Sequence, residues 1–449
     1  MGRVRLIAVA AVLTLGTVVA ASSANAASYH RNAGAEPTIT VWDQNTTGNL
    51  NGIYNHLVSM FEAKYHVKVD RIIKPFTQIL EQQKLALSGP NPPDVVQSNQ
   101  GYGTMGPEVA AHLIAPLTKY ANEYHWAACQ PAAFLRTNEF SSNGKDFGNG
   151  PIYGASDIVA GPVIVYYNKS VLQHLGVKLP IPNINAFEAV LAKAKAAGIT
   201  PIEFGDLEQW EGIHEFGILW NIFAPGSQVE SNYIFGPGKA TFNTPWANEA
   251  ATTLQSWANS GYFNKGYLGV THENASDAFT KGGAAFFIDG GWQNGSLSSA
   301  MGKNVGAMVM PPSHTGGAPI ATRSGNNSYV IASNISPQEQ ALSAEYLNFL
   351  TCSTAASDYF LANGEAPDFM PANANSFIQK GSSLADLVAI NNALTKDNGS
   401  VTYIDASTLE GTTLIGQQVE ELMGGATNVT GFIDTIEADY SEFHTTLSQ

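Results

Sequence analysis

Aromatic side chains at the ends of predicted strands are the first candidates for chemistry in this sequence. Trp42, Tyr102, Trp210 and Trp292 each follow a short apolar run that is typical of a β-strand. Loops at the carboxyl ends of strands gather at one edge of an α/β sheet, where binding clefts form. The positions therefore predict aromatic rings around a cleft, with core packing as the alternative for each single tryptophan.

Amides and carboxylates occur in the same loops. Such planar groups pair with the hydroxyl rim of a saccharide ring, while a flat aromatic ring packs against its C–H face. The combination predicts a site for a sugar or another polyol. The polar candidates in these loops are Asp43, Asn45, Asn99, Gln100, Asp157, Glu208 and Asp289.

Trp292 is the strongest single candidate. The predicted strand 284–288 ends in Asp289-Gly290-Gly291, and two glycines let the backbone turn sharply and approach a ligand closely. This arrangement predicts that the indole lies at the mouth of the cleft. The alternative is a tryptophan that only covers the end of the sheet.

Three clustered acids offer the alternative of an enzyme. Asp206, Glu208 and Glu211 follow a predicted strand and carry the groups that a glycoside hydrolase or lyase uses as acid and base. Acids that are solvated or hydrogen-bond a polyol are the simpler interpretation, because no complete catalytic constellation accompanies them. We therefore predict a binding protein rather than an enzyme, with no metal and no cofactor.

A glycine-rich segment raises the separate question of a nucleotide site. Residues 101–106 have the Gly-x-Gly-x-x-Gly spacing of dinucleotide-binding loops. That motif needs a tight turn directly from a strand into a helix, whereas residues 97–100 separate these glycines from the predicted strand. We therefore expect no nucleotide at this segment.

Composition and periodicity define the fold class. The chain has 449 residues and a net charge of −15, which predicts two or three domains and argues against nucleic acid or anionic lipid as a partner. Predicted strands at residues 39–42, 67–73 and 94–96 alternate with predicted helices at 50–65 and 76–87. Such alternation is typical of an α/β fold with mostly parallel sheets flanked by helices.

The first residues have the composition of an export signal. Arg3 and Arg5 precede the apolar run 6–21 and the small residues Ala24-Asn25-Ala26, which predicts a signal peptide over residues 1–26. No cysteine of the lipid-anchor type follows the run, so we expect a periplasmic or extracellular protein without that anchor. In an oxidising compartment Cys129 and Cys352 are a candidate disulfide, with two unpaired thiols as the alternative.

Several segments together resemble the carbohydrate-binding group of the extracellular solute-binding proteins of ABC importers, the group that includes maltose-binding protein. The resemblance covers nearly the whole chain after the signal peptide. Its departures are the missing anchor cysteine and the pair Phe286-Phe287, where small residues or methionine are usual. The segments are residues 39–42, 61–62, 86–96, 152–154, 165–169, 175–177, 279–286, 289–292 and 344–351.

The resemblance implies a two-lobe fold with ligand in the cleft between lobes and closure by hinge bending. It places the first lobe at residues 36–160 and 308–335, and the second at 161–307 and 336–449. It also implies that Trp292 stacks on a sugar ring. We expect a monomer that delivers a carbohydrate to ABC importer permease subunits. The alternative within the same fold is a non-sugar ligand, such as a peptide or another polyol. The lobes are expected to contribute half-sites: Asn45, Asn99, Gln100 and Asn326 from the first, and Glu208, Trp210 and Trp292 from the second.

Overall fold

The computed structural model describes residues 36–46, 48–156, 161–224, 226, 230–236, 238–323 and 327–449. The predicted signal peptide, 1–26, and the candidate site residues Asp157 and Asn326 lie outside the described residues. Within the described ranges, none of the helices has both the length and the apolar character needed to cross a membrane.

The strands are short, as expected where buried segments alternate with helices. The predicted strands at 39–42, 67–73 and 94–96 correspond to the first three strands of the structure. The strands are β1 Thr38–Asp43, β2 Lys68–Ile73, β3 Val95–Ser98, β4 Glu139–Phe140, β5 Phe147–Ile152, β6 Gly154–Ala155, β7 Val163–Asn168, β8 Thr200–Glu203, β9 Ala284–Gly290, β10 Val305–Met308, β11 Ala321–Thr322, β12 Ser328–Ile331 and β13 Ser400–Val401.

The helices cover the sheets, and many begin at a side-chain cap. Ser336, for example, caps its helix through a capping box with Glu339, which satisfies backbone N–H groups that have no partner inside the helix. The helices are α1 Gly48–Tyr65, α2 Phe76–Leu87, α3 Met105–Ala110, α4 Thr118–Glu123, α5 Ala132–Arg136, α6 Lys169–His174, α7 Ile184–Ala196, α8 Trp210–Phe223, α9 Pro245–Asn259, α10 His272–Thr280, α11 Asn294–Met301, α12 Pro337–Cys352, α13 Thr354–Ala362, α14 Ser383–Lys396, α15 Gly411–Gly424 and α16 Val429–Leu447.

Two sheets organise the chain. The first has the strand order β2-β1-β3-β12-β6 and the second the order β10-β7-β9-β8. In the first sheet only β12 runs against its neighbours, and in the second only β7 does. β7 is the first strand that the chain forms in the second sheet after it leaves the first. β12 is the first strand that the chain forms when it returns to the first sheet. The predicted α/β class with mostly parallel sheets flanked by helices is confirmed.

One part of the predicted lobe limits is wrong, because helices α12 and α13 pack on the first sheet. Residues 336–449 were expected in the second lobe, but these two helices share a hydrophobic cluster with β1, β3 and β12 of the first sheet. Apolar periodicity predicts a helix, but it does not tell which sheet the helix covers. Helices α15 and α16 pack with α8 and α9 on the side of the second sheet. The remaining lobe limits stay a prediction.

A disulfide joins Cys129 to Cys352 beside that same cluster, with 5.5 Å between the two Cα atoms. The predicted limits would place these cysteines in different lobes. Instead, Cys352 ends α12, which lies on the first sheet, so the bond links two segments that cover the same sheet.

Candidate functional site

A cavity of about 290 Å³ lies where loops after β1 and β3 face α8 and the segment after β9. It combines apolar rings with a few polar groups, which is the usual composition of a small-molecule site. Five of the predicted site residues line it: Asn45, Asn99, Glu208, Trp210 and Trp292.

One side of the cavity, which we call the amide wall, consists of Gln44, Asn45, Gln97 and Asn99. A buried ion pair fixes its first loop. Arg71 donates from Nε to Asp43 Oδ2 at 2.5 Å and from Nη2 to Asp43 Oδ1 at 2.7 Å. Asp43 Oδ1 also accepts a hydrogen bond from the Asn45 backbone at 2.9 Å. The carboxylate therefore supports the loop and is not exposed to a ligand.

The second half of the amide wall follows β3. Gln97 Oε1 accepts from the backbone N–H of Gln44 at 2.9 Å, which ties the two loops together. Asn99 Oδ1 is buried and has no hydrogen-bond partner among the described residues. A buried acceptor without a partner is costly, so a shift of the Asn99 side chain that let this oxygen accept from a ligand hydroxyl would remove that cost.

Gln100 is not brought to the cavity. Its side-chain Nε2 donates to Ser328 Oγ at 2.6 Å, which ties the β3 loop to β12. Gln100 therefore has a structural contact where the sequence predicted a ligand contact.

A second group of lining side chains, which we call the aromatic wall, consists of Trp210, His214, His272 and Trp292. Trp210 and His214 are one turn apart on α8, and their ring centroids are 5.1 Å apart. His214 lies 5.6 Å from Trp292, and Trp210 lies 4.7 Å from His272. The ring planes are inclined to one another by 66°, 52° and 60°, so the four rings form a contiguous cluster of tilted faces and edges.

The glycines before Trp292 have a different role from the one expected. A Cβ atom at Gly290 would overlap the Trp292 indole, so the ring folds back over its own chain. At Gly291 a Cβ atom would lie 2.9 Å from the Cα of Gly161. The glycines thus admit the indole and a close backbone crossing, not a ligand. Trp292 lines the cavity and also packs against the core of the first sheet.

Asp289 does not line the cavity but contacts the lining residue His272. It is buried, and its Oδ2 lies 2.5 Å from His272 Nε2. Burial by itself would lower the pKa of His272, but the Asp289 carboxylate raises it above the usual value. The backbone N–H of His272 donates to Glu208 Oε2 at 3.1 Å. Asp289 therefore positions His272, and His272 in turn holds Glu208 at the cavity.

Of the three acids that suggested an enzyme, Glu208 lines the cavity. Asp206 is fully buried, its Oδ1 accepts from the Gly212 backbone at 2.7 Å, and burial raises its pKa to about 7. Burial, together with the charges of Glu208 and Asp206, raises the pKa of Glu211 to about 11. Neither Asp206 nor Glu211 belongs to the lining, so the structure does not present the predicted acid pairs to a ligand.

Two of the aromatic candidates lie elsewhere. Trp42 has the Lys74 ammonium 4.3 Å from its ring centroid. Tyr102 is buried in an aromatic cluster with Phe140 and Phe147, at centroid distances of 5.7 and 5.8 Å. Trp42 lies within β1 and Tyr102 follows β3, so a place near a strand end did not by itself distinguish the cavity from the core.

Sequence reasoning missed helix α8 and many polar lining residues, among them Gln44, Gln97, His214, His272, Tyr403 and Asp405. The helix was detectable in principle, because Ile213, Phe216 and Trp220 recur at helical spacing. Burial lowers the pKa of His214, one turn after Trp210, to about 4, so its imidazole is neutral near pH 7. No group of three or more potential metal ligands occurs in the described part of the chain.

Comparison with known proteins gives a consistent assignment. The family model described as bacterial extracellular solute-binding protein matches residues 45–355. An uncharacterized ABC transporter extracellular-binding protein of Pyrococcus horikoshii is 24% identical over 275 residues. That match covers 59% of this chain and 59% of the relative, so the chain spans about three fifths of that relative's length.

Solved structures share the fold. A chitin oligosaccharide binding protein superposes with a TM-score of 0.74 at 18% identity, covering 91% of this chain and 100% of that one. Maltose-bound MalE3 of T. maritima gives a TM-score of 0.70 at 18% identity, covering 90% and 99%. These neighbours have the two-lobe fold, and they are binding proteins rather than enzymes. The chain belongs to the family of bacterial extracellular solute-binding proteins.

Proposed function

We propose that this protein is an exported carbohydrate receptor, which binds a mono- or oligosaccharide in the cavity and delivers it to the permease of an ABC importer. The observation that carries the proposal is the presence of two unlike groups of side chains in the lining of one cavity: an aromatic wall and an amide wall. Structural neighbours whose names include chitin oligosaccharide and maltose support the sugar assignment.

The two walls match the two kinds of surface on a pyranose. Trp210 and Trp292 offer ring faces to the C–H side of the sugar, and such contacts add to the area that the ligand buries. Asn45, Gln97 and Asn99 offer planar amides that donate to and accept from vicinal hydroxyls. Glu208 adds a carboxylate acceptor, whose hydrogen bonds to hydroxyls are stronger than those between neutral groups.

Binding to both walls also gives a reason for lobe closure. A ligand shifts a conformational equilibrium only through different affinities for the two states. A sugar that contacts the amide wall and the aromatic wall together favours the state in which both are near. We expect a smaller radius of gyration by X-ray scattering with saturating sugar, and identical dimensions would contradict closure.

A panel of mono- and oligosaccharides tests the proposal directly. A sugar that binds only the native state raises the melting temperature, and calorimetric titration then gives its affinity. Trp210→Ala should abolish or weaken that affinity. Trp246→Ala is the matched control, because Trp246 is also partly exposed but does not line the cavity. If no saccharide in the panel bound, the proposed function would be wrong.

The rival function, a glycoside hydrolase or lyase, is tested on the same panel. Glu208 lines the cavity, but Asp206 and Glu211 do not, so we expect binding without bond cleavage. The protein is incubated with each oligosaccharide and the products are separated by chromatography. Sustained turnover that disappears in Glu208→Gln would establish an enzyme and refute the receptor.

A further inference from the structure

The charges in the cavity wall are unevenly distributed. Glu208, Glu273 and Asp405 line it, whereas none of the described lining residues is lysine or arginine. The residues outside the described ranges after residue 36 cannot supply a cation either. Their sequence contains one charged residue, Asp157, which is acidic.

Two cations in and directly after β2, Arg71 and Lys74, are engaged in other contacts. Arg71 holds both carboxylate oxygens of Asp43 and is buried. Lys74, which precedes the lining residues Pro75 and Phe76, donates to Gln82 Oε1 at 2.9 Å and lies over the Trp42 ring. Neither side chain belongs to the lining.

The two histidines in the lining do not supply a free positive charge. Burial lowers the pKa of His214 to about 4, which leaves its imidazole neutral. His272 directs Nε2 to the Asp289 carboxylate at 2.5 Å, so a charge on this ring is balanced within the protein. The wall is therefore acidic without a compensating basic group.

We propose that this site discriminates by charge: it accepts saccharides without a negative charge and rejects uronates and sugar phosphates. This inference rests on the proposed carbohydrate function and adds the substrate class. An anionic ligand would lose hydration on entering the cavity and would lie near Glu208 and Asp405 without a counter-ion. A neutral sugar of the same shape has no such cost.

Three forms of one sugar isolate the charge. The tightest neutral ligand of the panel is compared with its product oxidised to the uronate at the primary hydroxyl, and with the methyl ester of that uronate. The ester keeps the shape of the uronate but removes its charge. We expect the uronate to bind about tenfold or more weakly than the ester at low ionic strength, and a smaller difference would overturn the inference.

Variants of the lining carboxylates test whether these groups cause the difference between uronate and ester affinity. The affinity of the uronate relative to that of the ester should rise in Glu208→Gln and in Asp405→Asn, because each substitution removes one negative charge from the lining. Glu249→Gln, an exposed acid on α9 outside the cavity, should leave that ratio unchanged. An unchanged ratio in both cavity variants would contradict the role given to these carboxylates.

The inference can fail separately from the proposed function. Glucuronate, galacturonate and sugar phosphates are included in the first panel. Tight binding of one of these acids, with no neutral sugar bound more tightly, would leave the receptor intact and refute charge discrimination. Absence of binding by every saccharide would instead remove the proposed function and this inference with it.

Discussion

The two walls of the cavity are constructed by different physical means. The amide wall lies on loops after β1 and β3, where a buried ion pair and backbone hydrogen bonds fix short polar side chains. The aromatic wall depends on side-chain packing between rings on α8 and after β9, whose centroids are 5.1 and 5.6 Å apart. The comparison suggests that hydrogen-bond geometry, and thus specificity, comes from the first wall, and contact area from the second.

The largest effect should come from removing the ion pair beneath the amide wall. Arg71→Ala leaves the buried Asp43 carboxylate without its partner, which we expect to lower the free energy of unfolding by about 3–5 kcal/mol. Urea denaturation measures this loss. Lys68→Ala, which removes an exposed partner of Glu62 at 3.7 Å, should change stability by less than about 1 kcal/mol. Equal losses of unfolding free energy in the two variants would show that the buried ion pair does not fix the amide wall.

The aromatic wall should behave differently, with a loss of affinity that exceeds the loss of stability. Trp210→Ala and Trp292→Ala should each weaken sugar binding by roughly 1–3 kcal/mol, because each removes a stacking surface. Trp257→Ala, in the core, should instead cost about 3–5 kcal/mol of stability and leave affinity unchanged. Calorimetric titration and urea denaturation on the same variants separate these outcomes. Unchanged affinity in folded Trp292→Ala would refute stacking by that residue.

The acids behind the aromatic wall should make stability fall as pH rises. Glu211 keeps its proton in the folded protein up to a pKa of about 11, whereas in the unfolded chain it ionises near the ordinary value of 4.5. Between these values the folded state binds more protons, so raising the pH favours unfolding by up to about 1.4 kcal/mol per unit. Below the unfolded pKa its contribution is constant.

Glu211→Gln should therefore flatten the dependence of unfolding free energy on pH between 5 and 9. Urea denaturation at several pH values provides the measurement, with Glu249→Gln as the exposed control. The same slope in Glu211→Gln as in the wild-type protein would show that Glu211 is not held protonated. Asp206, with a pKa of about 7, should contribute to the slope of unfolding free energy against pH only below pH 7.

The smallest expected effect distinguishes two neighbours in the amide wall loop. Asn99→Ala removes an amide from the lining and should weaken binding by about 0.5–1.5 kcal/mol. Gln100→Ala removes a hydrogen bond to Ser328 and should lower stability while leaving affinity nearly unchanged. Calorimetric titration of both variants checks this, and equal affinity losses would show that Gln100 also contacts the ligand.

The sequence predicted the strand ends better than the packing between distant elements. Asn45, Asn99 and Trp292 were found because a strand that stops at a sheet edge places its next residues in the cleft. His272 and Tyr403 were missed because their places depend on how α10 and the segment after β13 pack, which local periodicity does not encode. The same limit explains α12, whose periodicity gave a helix but not the sheet beneath it.

A crystal structure with the tightest sugar of the panel tests the central claim most directly, that one saccharide bridges two unlike walls. The account predicts a sugar whose C–H face lies on Trp210 or Trp292 and whose hydroxyls hydrogen-bond the side chains of Asn45, Gln97 or Asn99. A sugar bound outside this cavity, or one that contacts a single wall, would contradict it.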